Sequence, residues 1–273
     1  MIEILVLATL AQANLWTEEL TSKEVGDKLS SGYTTVVIAT GGIEQNNPYT
    51  VTGKHNYVLQ LVLPYVAKSI GNTLLAPIVK FVPEGNLDPN PSGLMLHPGT
   101  ISLEPATFEA LLTDLCRSYK THGFRDIILL GDSGGNQAGM ERVAKALNVK
   151  WKASQTRVHY LGEFYSQDPW SYDFLKARGI VQIDKTPPAG KAADRADHTR
   201  NGIHDDVYYE AQIAAIDPEL IRASARAKAG TLSLHGVNLA PIEKTAELGR
   251  QLAIYRAAIT AKAFQNSLKK LRK

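Results

Sequence analysis

Thiols are nearly absent from this sequence: 273 residues contain one cysteine, Cys116. No intramolecular disulfide can form, and a zinc ribbon, which needs several thiolates, is excluded. Cys116 falls in an apolar helical pattern with Phe108, Leu111, Leu112, Leu115 and Tyr119. A small buried core residue is the reading there, not a nucleophile. Long apolar runs are missing as well: no segment approaches the ~18 residues of a membrane span. A large excess of charge of either sign is absent too. Lys and Arg number 30 against 27 Asp and Glu, a formal net charge of +3. Much of that excess sits in Lys269, Lys270, Arg272 and Lys273, a solvated helix end at the negative pole of the helix dipole. No basic stripe with interleaved aromatics occurs, so nucleic acid is not an expected partner. There is neither an internal repeat nor a low-complexity segment.

The first thirteen residues have two readings. Ile4 begins an apolar run ending near Leu10, and Ala11-Gln12-Ala13 has the A-x-A form of a signal-peptidase site. Glu3 and the lack of a preceding Lys or Arg favour a first β-strand instead. We read residues 1–13 as the remnant of an export signal, which places the protein in the periplasm or outside the cell; a strand would leave it cytoplasmic. Residues 14–273 form one expected domain.

What is present is a regular alternation of strand and helix signals. Strands are expected at 34–39, 74–82, 126–130 and 156–161. Helices are expected at 21–29 with Ser22 as N-cap, 57–70, 105–121, 137–147, 169–178 and 204–216. Asp217 caps a further helix with Pro218 in its first turn, and a long amphipathic helix runs from 241 to about 271. Residues 83–99, rich in Pro, Gly and Asn, form a loop long enough to suggest function. Residues 185–200 read as a polar lid. This alternation predicts an α/β fold with a mostly parallel central sheet covered on both faces, a three-layer α/β/α sandwich.

Two strands run into glycine turns. Val36, Val37 and Ile38 lead to Gly41-Gly42, followed by Glu44, Gln45, Asn46, Asn47, Tyr49 and His55. The strand ending at Leu130 runs into Gly131-Asp132-Ser133-Gly134-Gly135-Asn136. In a doubly wound sheet both turns leave by one edge. That would bring Glu44, Asn46 and His55 near Asp132, Ser133 and Asn136. Oxygen and imidazole ligands together suit Zn²⁺, Mn²⁺ or Fe²⁺. The alternatives are weaker. A phosphate cradle lacks both G-x-G-x-x-G and a P-loop lysine. A serine hydrolase lacks G-x-S-x-G. Asp132 as a mere helix cap stays open. His204-Asp205-Asp206 with Glu210 is a third cluster, for which a solvated helix start is the better reading from spacing alone. His97 lies in the long loop, within reach of a substrate. His122 looks like a helix C-cap, His159 lies in a strand and His235 precedes a turn; each reads as structural.

In order along the chain, these segments resemble the creatininase (creatinine amidohydrolase) family. Gly42-Ile43-Glu44-Gln45-Asn46-Asn47-Pro48-Tyr49, continuing to Gly53-Lys54-His55, resembles its G-x-x-E-Q-H-G-P-H segment. His97-Pro98-Gly99-Thr100-Ile101-Ser102-Leu103 resembles F-P-G-T-I-S-L, and His122 to Ile127 resembles H-G-F-R-x-I. Gly131 to Asn136 is similar to N-G-H-G-G-N, and His204 to Ala211 weakly to H-A-G-x-x-E-T-S. The resemblance implies an α/β/α sandwich, a homo-oligomer, and one or two divalent ions that activate water against a C–N bond of a small, cyclic amide. No organic cofactor is expected. It also implies that Glu44 is a metal ligand and that His204 acts near the substrate.

Three positions depart from the family pattern. His55 stands where the family has a bridging Asp, Asn46 where it has a metal His, and Ser133 where it has another. Sequences with G-K-H-N and an adjacent G-D-H resemble a distinct branch, which adds Asp132 as a ligand candidate. The expected set is therefore metal ligands Glu44, His55 and Asp132, with His204 or Glu210 moving the proton. Asn46, Tyr49, His97, Ser133 and Asn136 would surround the substrate. The alternative is a degenerate member that binds a small ligand or a partner without catalysis. If export is correct, N-terminal sequencing of mature protein starts at Asn14; a retained Met1 or Ile2 shows that residues 1–13 stay in the protein.

Overall fold

The computed structural model describes residues 14–182 and 206–272. The expected signal remnant, the polar lid, His204 and Asp205 lie outside the described residues.

Four parallel strands form the central sheet: β1 (Thr35–Thr40), β2 (Thr73–Leu75), β3 (Asp126–Gly131) and β4 (Arg157–Tyr160), in the order β2-β1-β3-β4. Alternation along each strand sorts side chains to two faces. Val36, Ile38, Ile127, Leu129 and Val158 pack with α3 (Pro105–Thr121) and α4 (Gln137–Lys150). Val37, Ala39, Ile128 and Leu130 face α2 (Lys54–Ile70), α6 (Val207–Ala214) and α8 (Ile242–Leu271). Cys116 is buried in the first of these cores, as the helical pattern predicts. The α1 helix (Ser22–Ser30), α5 (Gln167–Lys176) and α7 (Ala223–Ala229) complete the named helices, and β5 (Ser233–Leu234) and β6 (Val237–Asn238) pair as a small hairpin. No helix among the described residues is long and apolar enough to cross a membrane.

Several boundaries differ from the sequence reading. The strand expected at 74–82 stops at Leu75, because Pro77 lacks the N–H that would continue a ladder. Beyond it only isolated bridges remain, at Val79 and Val82. The N-cap of α1 is Thr21, not Ser22: its side chain accepts from the Glu24 N–H, and Glu24 returns the bond in a capping box. The α2 helix begins three residues earlier than the apolar periodicity suggests, so Lys54 and His55 belong to a helical first turn rather than a loop. The α6 helix is not a solvated start. All eight of its residues are buried, as is Asp206 before it, because α2 and α8 pack across it.

That packing is close. A Cβ on Gly249 of α8 would lie 1.9 Å from the Ala211 carbonyl oxygen of α6, and Ala253 and Ala257, farther along α8, are buried in the same core. We expect Gly249→Ala to cost ~1–3 kcal/mol, the usual range for overpacking, because backbone rather than a flexible side chain must yield. Chemical denaturation of the variant checks this, and an unchanged midpoint would refute the contact.

Candidate active site

β1 and β3 pair along their whole length, with Thr40 opposite Gly131. Chain order reverses between them, since β2 lies on one side of β1 and β3 on the other. This switch point is where an open parallel sheet leaves a crevice at its strand ends. Both glycine turns emerge there, as their sequence pattern predicts.

The turn after β1 is stapled on several sides. Asn136 Nδ2 donates to the Thr40 and Gly41 carbonyl oxygens and to Thr40 Oγ1, at 2.8–3.1 Å. Asn56 Nδ2 donates to the Gly42 carbonyl oxygen at 2.9 Å. Asn46 Nδ2 donates to the carbonyl oxygens of Glu44 and Val51. Asn46 and Asn136, expected near a substrate, are thus seen to shape the loop. A second clamp lies beyond. Glu210 Oε1 accepts from Thr50 Oγ1 at 2.5 Å, from Arg226 Nη2 at 3.0 Å and from Asn47 Nδ2 at 3.1 Å. Glu210 and Arg226 are fully buried, and the Arg226 guanidinium sits 4.9 Å from the Tyr49 ring centre. Glu210, expected to move a proton, is seen here holding the loop to α6.

Glu44, His55 and Asp132 do come together. His55 Nε2 is 2.6 Å from Glu44 Oε1, and Nδ1 is 2.8 Å from Asp132 Oδ2. All three are buried. Lys54 Nζ lies 3.2 Å from the same Glu44 oxygen and 4.7 Å from the Tyr209 ring centre. Arg256 Nη2 donates to Asp132 Oδ1 and, at 2.8 Å, to the Phe164 carbonyl oxygen. Asp132 therefore bonds to side chains rather than capping the helix after it. Tyr209 meets the His55 ring edge-on at 5.4 Å.

Ionised carboxylates only accept hydrogen bonds, so a ring held between two of them must donate from both nitrogens. Burial alone would push the His55 imidazole down. The Glu44 carboxylate and the bonds to Asp132 and Glu44 outweigh it and raise His55 to about 9. Burial likewise opposes ionisation of Asp132, yet Arg256 and His55 hold its carboxyl below the usual range.

Sequence reasoning missed Glu84, Lys54 and Arg256. Glu84 lies in the long loop and is fixed there by its N–H to Ser102 Oγ and by the Leu94 N–H on its carbonyl oxygen. Its Oε2 accepts from Ser133 Oγ at 3.2 Å, while Oε1 lies where a Cβ on Gly42 would project, at 2.3 Å. Burial first, then the adjacent Glu44 charge, pushes the Glu84 carboxyl up to about 9. The available signals were a lysine in a helix first turn, against the dipole, and an arginine within the buried stripe of α8, at the spacing of Leu252, Thr260 and Ala263. His97 is buried near the end of this same loop; His122 ends α3, and His159 bonds Asp126 and Ser267 away from the site.

The profile of the creatininase family, described as creatinine amidohydrolase, matches residues 18–263. The chain belongs to the creatininase family. Its fold is similar to a crystal structure of creatinine amidohydrolase, with 18% identity, a TM-score of 0.60, and 94% of this chain and 98% of that one covered. A manganese creatininase matches at 19% identity and TM-score 0.58, again covering 94% and 98%. A structure described as a putative creatinine amidohydrolase from Bacteroides fragilis matches at 18% and 0.55, covering 93% and 96%. Among curated protein sequences none is detectably similar. Other creatininase structures include a zinc–zinc mutant form and one complexed with creatine.

Those relatives raise the question whether this creatininase-family site fits a divalent ion. As arranged, it does not. His55 has no ring lone pair left, both Asp132 oxygens accept from side chains, and Glu44 Oε1 faces two basic groups. Among the described residues no three His, Cys, Asp or Glu side chains are disposed to hold a metal.

The buried acid and imidazole set the pH response. Glu84 is raised above its unfolded value near 4.5, so the folded state loses stability as pH rises from there to about 9. His55 stabilises fully below about 6.5, its unfolded value, and that contribution is lost as pH rises through about 9. We expect Glu84→Gln to raise the thermal midpoint at pH 8 by several degrees, at roughly 2–4 °C per kcal/mol, and to change it little at pH 4. Thermal melts at both pH values check this; equal shifts would refute a neutral Glu84.

Proposed function

We propose that this chain binds a small amide-bearing molecule at the β1–β3 crevice and does not hydrolyse it. The observation that carries the reading is His55, with both ring nitrogens committed to carboxylates. A general base must be unprotonated at working pH. His55 and Glu84 both keep their protons to about 9, and Asp132 is paired with Arg256. Among the described residues the Ser133 hydroxyl is directed at Glu84, to which it donates, and not at an imidazole that could activate it. A neutral carboxyl beside a hydroxyl matches the carbonyl oxygen and N–H of an amide. The exposed Gly134-Gly135 turn is the side from which such a ligand would approach.

A second reading has its own support. The gathering of Glu44, His55 and Asp132 at one point, in a family whose relatives include manganese and zinc forms, favours a metal-dependent amidohydrolase of small cyclic amides. One experiment separates the two. Creatinine, hydantoin and succinimide are incubated with the protein, with and without Mn²⁺ or Zn²⁺, and ring opening and thermal shift are recorded. We expect no ring opening above the buffer rate and a thermal shift with at least one amide. Turnover that rises with added metal would establish the second reading in its place.

A further inference from the structure

The disagreement between this site and a metal centre has a specific physical origin. We propose that Lys54 and Arg256 are tethered cations that neutralise and fix the Glu44 and Asp132 carboxylates, making the site independent of metal by construction. This deepens the non-hydrolytic reading and rests on it only for what the site does with a ligand.

Three observations carry the inference. First, each cation is buried and aimed at a different carboxylate. Lys54 is 1% exposed and reaches Glu44; Arg256 is wholly buried and reaches Asp132. Second, Arg256 cannot swing aside. Its Nε and Nη2 both donate to the Phe164 carbonyl oxygen, at 3.1 and 2.8 Å, and its guanidinium stacks 3.7 Å from the Phe164 ring centre. Third, Lys54 stands in the first turn of α2, where the helix dipole disfavours a cation. Such placement persists when a carboxylate compensates it, and Glu44 does so.

Electrostatics then opposes an added ion. Lys54 and Arg256 already stand against the two carboxylates in a buried interior, and the His55 ring bridges them. A divalent ion would have to displace N–H donors from Glu44 and Asp132, and each displaced cation would be left buried without its partner, which is strongly unfavourable. The replacement of the family's two metal histidines by Asn46 and Ser133 agrees with this. Asn46 is turned to backbone carbonyls and Ser133 to Glu84.

Metal analysis of the full chain tests the proposal. Wild-type protein purified without chelator should carry less than about a tenth of an equivalent of Mn, Fe or Zn, where an occupied site needs near one. Its thermal midpoint should not change on dialysis against EDTA or on addition of Mn²⁺ or Zn²⁺. Lys54→Met and Arg256→Met should each bind Mn²⁺ or Zn²⁺ at least ~10-fold more tightly than wild type, a difference of about 1.4 kcal/mol. Near-stoichiometric metal in the wild type, or a midpoint that falls with EDTA, overturns the proposal. So does a folded Lys54→Met whose metal affinity equals wild type. If Arg256→Met does not fold, the wild-type and Lys54→Met measurements decide. Metal-free amide hydrolysis would defeat the binding reading and leave the tethered cations standing; stoichiometric metal without turnover would do the reverse.

Discussion

The His55 imidazolium, gripped between Glu44 and Asp132, is the contact on which this structure turns. It joins the loop after β1, the first turn of α2 and the end of β3 at a single buried ring. Each carboxylate then recruits a second cation, Lys54 for Glu44 and Arg256 for Asp132. Buried charges survive only when paired and hydrogen-bonded, since the desolvation penalty otherwise exceeds the attraction. The cluster meets that condition with side chains drawn from the strand ends and from two long helices. Glu84 meets it differently, by keeping its proton.

The same constraint explains the surrounding scaffold. Arg256 reaches Asp132 only because α8 lies tight against α6, and that approach requires Gly249 where a side chain would meet backbone. Lys54 reaches Glu44 only because α2 starts early enough to make it helical. The Glu210–Arg226 pair closes the other side by holding Asn47 and Thr50, the far end of the loop that carries Glu44. Loop, helices and charges are mutually dependent, and removing one cation disturbs packing as well as electrostatics.

The chain shares its fold with creatininase structures, and its own strand order sets the switch point between β1 and β3. Chemistry is decided more locally, by which groups stand at the strand ends. Here the family scaffold supports a charge-balanced set in which organic cations occupy the carboxylates.

Local pattern was enough to read most of the architecture. Apolar alternation marks β1 and β3, helical periodicity marks α3 and α8, and the two glycine turns identify the edge where the site lies. These signals are local because backbone hydrogen bonding and side-chain period act over a few residues. Glu44, His55 and Asp132 were legible for the same reason, as polar residues at the ends of buried strands. Their use was not. Whether they face a metal or one another depends on Lys54, Arg256 and Glu84, which come from the start of α2, the middle of α8 and a loop 40 residues after Glu44. Only tertiary packing brings those groups together and removes the water that would otherwise screen them. Burial thereby turned a set of candidate ligands into a closed network of ion pairs, which no spacing along the chain could specify.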